Sequence, residues 1–241
     1  FAPLQTGLGI DVVDRELMAS TGEARPANGD AAPTSEYVNC GRLLPGFEFK
    51  VLDDDGKELC DRFCGHIYLK GPSVMRGYFQ DPESTAAVLS KDGWLKTGDI
   101  GYRIDDELVV TSRSKDVIII KGRNIWPYDL EVLAQRTEGV KLGGVAAFSV
   151  RNVDGQEQAV LVVETREKDP DKRLHIVEEV SRSVHAHFGI NVLIDLTPRG
   201  TLPRTSSGKL SRSQSKQDFL ARKTLENVQR SVVKVGHAQP A

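Results

Sequence analysis

The hydrophobic pattern changes character at Arg113, and that change sets what the chain can fold into. From Tyr37 to Ser112, apolar residues come in short runs broken by turn residues. Phe47, Phe49 and Val51 alternate with Glu48 and Lys50, the period of a half-buried strand. Asp53-Asp54-Asp55-Gly56 marks a hairpin turn, and Ile67-Tyr68-Leu69 and Leu108-Val109-Val110 predict further strands. One short helix is expected to begin at Asp81-Pro82-Glu83, with Asp81 as the cap. After Arg113 longer periods take over. Val117 to Ile120 predicts a buried strand, and Pro127 to Thr137 a helix with Leu130, Leu133 and Ala134 on one face. Val145 to Phe148 and Val160 to Val163 predict strands around the turn Asn152-Val153-Asp154-Gly155. Asp169-Pro170 opens a long helix in which Leu174, Val177, Val180, Val184 and Phe188 recur at spacings of three and four, and Gly189 stops it. Asn191 to Leu196 predicts a last strand.

The fold class is therefore α+β. A distorted β-barrel or sheet over 37–113 is followed by a compact α+β unit over 114–222, with the boundary near Ser114–Asp116. Residues 1–36 are a loop-rich remnant of the first region, and 20–36 are expected to be an exposed loop. The tail 223–241 is expected to be loosely ordered from Asn227.

Composition excludes some functions. A net charge of -2 argues against a nucleic-acid binder, which needs a basic footprint. No apolar run approaches the ~18 residues of a membrane span. The cysteines are Cys40, Cys60 and Cys64, an odd and low count that fits a reducing cytoplasm. Phe1-Ala2-Pro3-Leu4 carries neither an initiator Met nor a basic leader, so the chain is expected to be cut from a longer protein.

Three separated side chains could carry chemistry. Asp99 ends Thr97-Gly98-Asp99, where Gly98 lets the backbone approach a ligand. Its carboxylate could accept hydrogen bonds from two adjacent hydroxyls, such as those of a ribose, or could sit in a plain Gly-Asp turn. Arg113 could hold a ribose or phosphate oxygen in its planar fork, or pair on the surface with Asp105, Asp106 or Asp116. Lys209, in Leu202-Pro203-Arg204-Thr205-Ser206-Ser207-Gly208-Lys209, sits in a stretch with almost no apolar content, expected to be a mobile loop. It could neutralise developing negative charge, or be a solvated turn residue. That stretch is not a phosphate loop, which would need Gly at Pro203 and Ser or Thr at Leu210. Cys60, Cys64 and His66 fit no strong zinc spacing. His185 and His187, two apart on a helix, point to different faces, and Ser206 and Ser207 have no histidine nearby to activate them.

Five motifs carry a resemblance. Gly71-Pro72-Ser73-Val74-Met75-Arg76-Gly77-Tyr78, Asp92-Gly93-Trp94-Leu95-Lys96-Thr97-Gly98-Asp99, Ser112-Arg113-Ser114-Lys115-Asp116, Gly122-Arg123-Asn124-Ile125 and Ser207-Gly208-Lys209 stand in this order. From about Gly41 to Arg212 the chain resembles the C-terminal portion of acyl-adenylate-forming enzymes, the AMP-dependent synthetases and ligases. Among them it is most similar to fatty acyl-AMP ligases and acyl-CoA synthetases. Trp126-Pro127-Tyr128-Asp129-Leu130-Glu131 after Gly122-Arg123-Asn124 leans toward the former, as does Ile119, where some thioester-forming members have lysine.

The resemblance implies that Asp99 binds the ribose hydroxyls and Arg113 contacts the ribose. Lys115 and Asp116 form the hinge of a mobile C-terminal lid, and Lys209 docks over the carboxylate and α-phosphate. It implies ATP and Mg²⁺, a fatty or other carboxylic acid, and CoA or an acyl carrier protein as thiol acceptor. The family's phosphate loop, most of its acyl pocket and its adenine motif lie upstream of this segment. The chain alone is therefore expected not to adenylate, and the alternative is a non-catalytic module that docks a carrier protein.

Overall fold

The computed structural model describes residues 9–27, 33–151 and 155–235, with side chains described through Lys223. The chain divides into two compact units, Phe1–Trp126 and Pro127–Ala241. Lys115 and Asp116, expected at the boundary, lie within the first of these.

In the first unit the strands are β1 (Ile10–Asp14), β2 (Thr34–Arg42), β3 (Glu48–Leu52), β4 (Gly65–Lys70), β5 (Leu95–Ile104) and β6 (Glu107–Arg113). They pair antiparallel in the order β1-β2-β6-β5-β4-β3. The sheet is open, so the expected barrel is present as a distorted six-stranded sheet and not as a closed one. Its distortion lies in register shifts within β2–β6, β4–β5 and β5–β6.

The expected exposed loop over 20–36 is partly replaced by structure. Helix α1 (Arg15–Thr21) is capped by Asp14, whose carboxylate accepts from Leu17 N at 3.0 Å, and closed by Gly22 at φ 79. Ala24 is fully buried, and Pro26 bridges to Val13. Composition hid this, because small residues can line a core as well as a loop. Met18, Tyr37, Tyr102, Val109 and Trp126 close the core of this unit, with Tyr37 edge-on to both Tyr102 and Trp126. Helix α2 (Pro82–Val88) begins where Asp81 caps Ser84 N at 2.9 Å. A two-stranded ribbon, β7 (Ile118–Ile120) with β8 (Arg123–Ile125), ends the unit. The expected fully buried strand is corrected here: Ile118 is buried but Ile119 is 54% exposed, because alternate residues of a ribbon face opposite ways.

The second unit holds α3 (Pro127–Gln135), β9 (Val140–Arg151), β10 (Glu157–Thr165), α4 (Pro170–Phe188), β11 (Val192–Pro198) and α5 (Arg212–Val235). Central strand β10 pairs antiparallel with β9 and parallel with β11, so α4 is the crossover between parallel neighbours. Ala146, Phe148, Val160 and Val162 share one sheet face and pack with Leu202 and Phe219. The alternate residues Val145, Ala147, Leu161 and Val163 are buried on the other face. Asp169 caps α4 through Asp171 N and Lys172 N, and Gly189 closes it at φ 65. The buried stripe of α4 is Ile176, Val180, Val184 and Phe188, while Leu174 is 58% exposed. Residues two apart on a helix point about 200° apart, so Leu174 and Ile176 could not both face the sheet. The turn at Asn152-Val153-Asp154 lies outside the described residues. The backbone of α5 is helical to Val235, where a loose tail was expected from Asn227.

Candidate functional site

Asp99 and Arg113 meet because two irregularities set them side by side. On the β4 side, Tyr68 pairs with Lys96 but His66 pairs with Ile100, so β5 carries extra residues around Thr97–Asp99. Gly98 sits in that bulge at φ 80, a conformation that costs other residues about 1–2 kcal/mol. Thr97 pins it: its hydroxyl donates to Ile67 O at 2.9 Å and accepts from Asp99 N at 3.1 Å. On the β6 side the ladder slips between Ile100↔Ser112 and Gly101↔Val110, leaving Thr111 as the extra residue. The Thr111 hydroxyl donates to Ile100 O at 3.1 Å. Beyond the slip Asp99 lies opposite Arg113, and Arg113 Nε stands 3.3 Å from Asp99 Oδ1. Bulges of this kind re-aim side chains and concentrate beside active sites.

The pair faces solvent, with the Asp99 side chain 32% and the Arg113 side chain 62% exposed. A carboxylate there has lone pairs left for hydroxyl donors, and the guanidinium has further N–H groups for an anionic oxygen. Arg113 thus pairs with Asp99. A single 3₁₀ turn, Ser114–Asp116, follows β6 directly and places Lys115 at the surface.

Lys209 lies in the second unit, and its surroundings correct the expected mobile loop. Residues 204–210 form a closed hairpin: Arg204 bridges Leu210, Thr205 N donates to Lys209 O at 2.8 Å, and Gly208 N donates to Thr205 O at 2.8 Å. Gly208 takes φ 80 just before Lys209, as a three-residue hairpin with a bulge requires. The Thr205 hydroxyl also accepts from Lys209 N at 3.2 Å. Low apolar content did not signal a structureless loop here, because polar hydrogen bonds close the turn.

Two buried carboxylates flank this hairpin and escaped the sequence reading. Glu164 has a side chain 1% exposed; its Oε1 accepts from Gly200 N at 2.8 Å and Leu202 N at 2.9 Å, while Lys141 Nζ stands 2.7 Å from Oε2. Burial pushes this carboxyl up, but the Lys141 ammonium and the Leu202 and Gly200 amides outweigh it and hold it below the ordinary carboxylate range. Glu131 takes Arg212 in a two-pronged pair at 2.7 Å per contact, and its Oε1 also accepts from Ala147 N at 3.0 Å. One signal was available: Glu131 interrupts the apolar face of its helix, and Glu164 ends the run Val160 to Val163.

The other candidates have ordinary roles. His66 Nε2 lies 2.9 Å from Asp54 Oδ1, and Cys64 packs against the core of the first unit. Among the described residues no three His, Cys, Asp or Glu side chains converge to hold a metal ion. The described side chains thus present no carboxylate cluster of this kind for Mg²⁺. No helix among the described residues is long and apolar enough to cross a membrane.

Comparison with known proteins bears on these residues. Residues 19–79 match the family described as AMP-binding enzyme. A protein of Caulobacter vibrioides named as an acyl-CoA synthetase is 42% identical over 221 residues, 91% of this chain and 38% of its own length. A protein of Mycobacterium tuberculosis named as a ligase is 36% identical over 220 residues, 89% of this chain and 40% of its own length. Among solved structures, one from work on fatty acyl-adenylate ligases of E. coli and L. pneumophila superposes with a TM-score of 0.82 at 34% identity, covering 91% of this chain and 39% of that one. The chain thus spans about two fifths of the length of these relatives. Shared sequence and shared backbone place the chain in the AMP-binding family of acyl-adenylate-forming enzymes, of whose members it matches a part.

Proposed function

We propose that this chain supplies the ribose-binding pair and the lid lysine of an ATP-dependent acyl ligase, which activates a fatty or other carboxylic acid as acyl-AMP. The observation that carries the reading is the Asp99–Arg113 pair, side by side at 3.3 Å on a bulged sheet edge and open to solvent. Asp99 accepts the two ribose hydroxyls of ATP, and charge-assisted bonds of this kind contribute about 1.5–3 kcal/mol each. Arg113 keeps the carboxylate oriented and turns its remaining N–H groups to the sugar-phosphate. In the reaction an oxygen of the acid attacks the α-phosphorus and the bond to the β-phosphate oxygen breaks, releasing pyrophosphate. Lys209 places its ammonium where the carboxylate and α-phosphate share charge. Lys115 and Asp116 form the hinge that brings Lys209 in, and a thiol of CoA or of a carrier protein's phosphopantetheine then takes the acyl group.

Mg²⁺ and the β- and γ-phosphates are held outside this chain, so the chain alone does not adenylate. Pyrophosphate exchange tests the reading in the whole ligase that carries this segment. Asp99→Asn is expected to raise KM for ATP by about 10- to 100-fold, from the loss of one or two charge-assisted bonds. Lys209→Ala is expected to lower kcat while KM for the acid stays close to that of the parent. Unchanged kinetics in both variants would overturn the reading, as would robust exchange by the 241-residue chain alone.

A further inference from the structure

A bulge in β9 reaches the Lys209 hairpin at two places. Pairing of β9 with β10 runs in step as far as Val145↔Val163 and then slips, so that Val140 faces Thr165. Residues 141–144 stand out of the ladder, with Gly143 at φ 67. Gly143 N donates to the Gln135 side chain at 2.5 Å, which ties the bulge to α3. Gly143 O accepts from Arg204 Nη2 at 2.6 Å, and Arg204 Nη1 donates to Gly208 O at 3.1 Å. At its other end the bulge sends Lys141 to Glu164, which holds Gly200 N and Leu202 N. One bulge therefore grips the chain both before and within the hairpin that carries Lys209.

We propose that Arg204 is a positioning residue for Lys209: it locks the Gly208 carbonyl, one peptide from Lys209, onto the β9 bulge. The inference rests on the reading of Lys209 given above. The chemistry asks for arginine, because two carbonyls on different segments are held by two N–H groups of one rigid fork. Lysine offers a single point of charge on a flexible stem and cannot fix both. Arg204 is exposed, so its loss exposes no buried polar group and costs little global stability. Its effect falls on placement, and a displacement of about 1 Å at a reacting group can cost about 100-fold in rate.

Two measurements test this. In the 241-residue chain, hydrogen exchange reads the amides of Gly208 and Lys209, both bonded to Thr205. Arg204→Ala is expected to speed exchange at these two amides while leaving those of α4 and the melting temperature unchanged. Exchange as slow as in the parent chain would overturn the proposal. In the whole ligase, Arg204→Ala is expected to lower kcat for acyl-adenylate formation by up to about 100-fold with KM values little moved, and Arg204→Lys to restore only part of the loss. The Arg204→Ala/Lys209→Ala double variant should be no slower than Lys209→Ala alone; a loss that multiplies instead would show that Arg204 acts independently and sink the idea. If Lys209→Ala itself leaves the rate unchanged, the functional reading fails, while the exchange measurement still decides whether Arg204 holds the turn.

Discussion

Replacing Glu164 tests how the second unit is held together around the Lys209 hairpin. In Glu164→Ala the amides of Gly200 and Leu202 lose their acceptor and Lys141 loses its counter-ion. Leu202 is 6% exposed, so its orphaned N–H costs about 1–3 kcal/mol. Gly200 is exposed and its amide returns to water. The Lys141 side chain is 31% exposed and also turns outward, so its ion pair adds less than about 1 kcal/mol. The expected loss is about 1–4 kcal/mol. Glu164→Gln keeps a carbonyl oxygen for both amides but turns donors toward the Lys141 ammonium, and should cost about half as much. Urea unfolding followed by far-UV circular dichroism reads the second unit through α4 and α5. Trp94 and Trp126, the only tryptophans, both lie in the first unit, so their fluorescence reports that unit separately. A loss for Glu164→Ala below about 0.5 kcal/mol, the scatter of an ordinary surface change, would refute the argument. The pH dependence has a definite sign. Because the folded carboxyl is held below its unfolded value of about 4.3, its contribution is complete above that value and is lost as pH falls through the folded one. The stability gap between the parent chain and Glu164→Gln should be flat from about pH 7 to 5 and shrink below about pH 4.

Two further outcomes test the first unit. A Cβ at Gly101 would stand 2.1 Å from Val109 O and 2.8 Å from Ile67 Cδ1, and the carbonyl is backbone that cannot swing away. Gly101→Ala should therefore force β5 and β6 apart and cost about 1–3 kcal/mol by tryptophan-detected urea unfolding; parent-like stability would show that the strands are not packed this closely. Burial pushes the Cys64 thiol up to about 12, while Cys40 and Cys60 are exposed. An aromatic disulfide reagent at pH 8 should titrate Cys40 and Cys60 quickly and Cys64 only after denaturant, and three fast thiols would contradict the packing around Cys64.

Elements governed by local chemistry were legible in the sequence. Asp81 caps the helix it was expected to cap, the helix expected after Asp169-Pro170 begins there, and Gly189 ends α4 in the left-handed conformation. These signals act over three or four residues, within reach of a pattern. Which side of a helix faces inward was legible only approximately, because Leu174 and Ile176 are equally apolar and only the sheet beneath selects between them. Helix α1 was missed because it is seven residues long and its buried Met18 packs with residues distant in sequence, Tyr37, Tyr102 and Trp126. The Glu131–Arg212 pair joins residues 81 apart in sequence, a separation no periodicity encodes. Asp99, Arg113 and Lys209 were picked out from motif and resemblance, whereas the groups that hold the Lys209 hairpin, Glu164 and Arg204, were not.

The deepest gap is one of register. From Ile104↔Glu107 to Gly101↔Val110 the β5–β6 hairpin pairs residues in one uninterrupted step. Continued without a break, that step would set Asp99 against Ser112, and Asp99 and Arg113 would project from opposite faces, since a slip of one residue exchanges the faces of a strand. The single extra residue at Thr111 moves Arg113 into line with Asp99. Gly98 and Thr97 then fix the Asp99 backbone from the other side. The same device recurs at residues 141–144, where a slip in β9 brings Gly143 and Lys141 to the Lys209 hairpin. In both units the regular ladder supplies rigidity and the irregularity supplies aim. A sequence read by alternation registers the first and passes over the second, because one inserted residue changes no count of apolar positions and yet decides which charges meet.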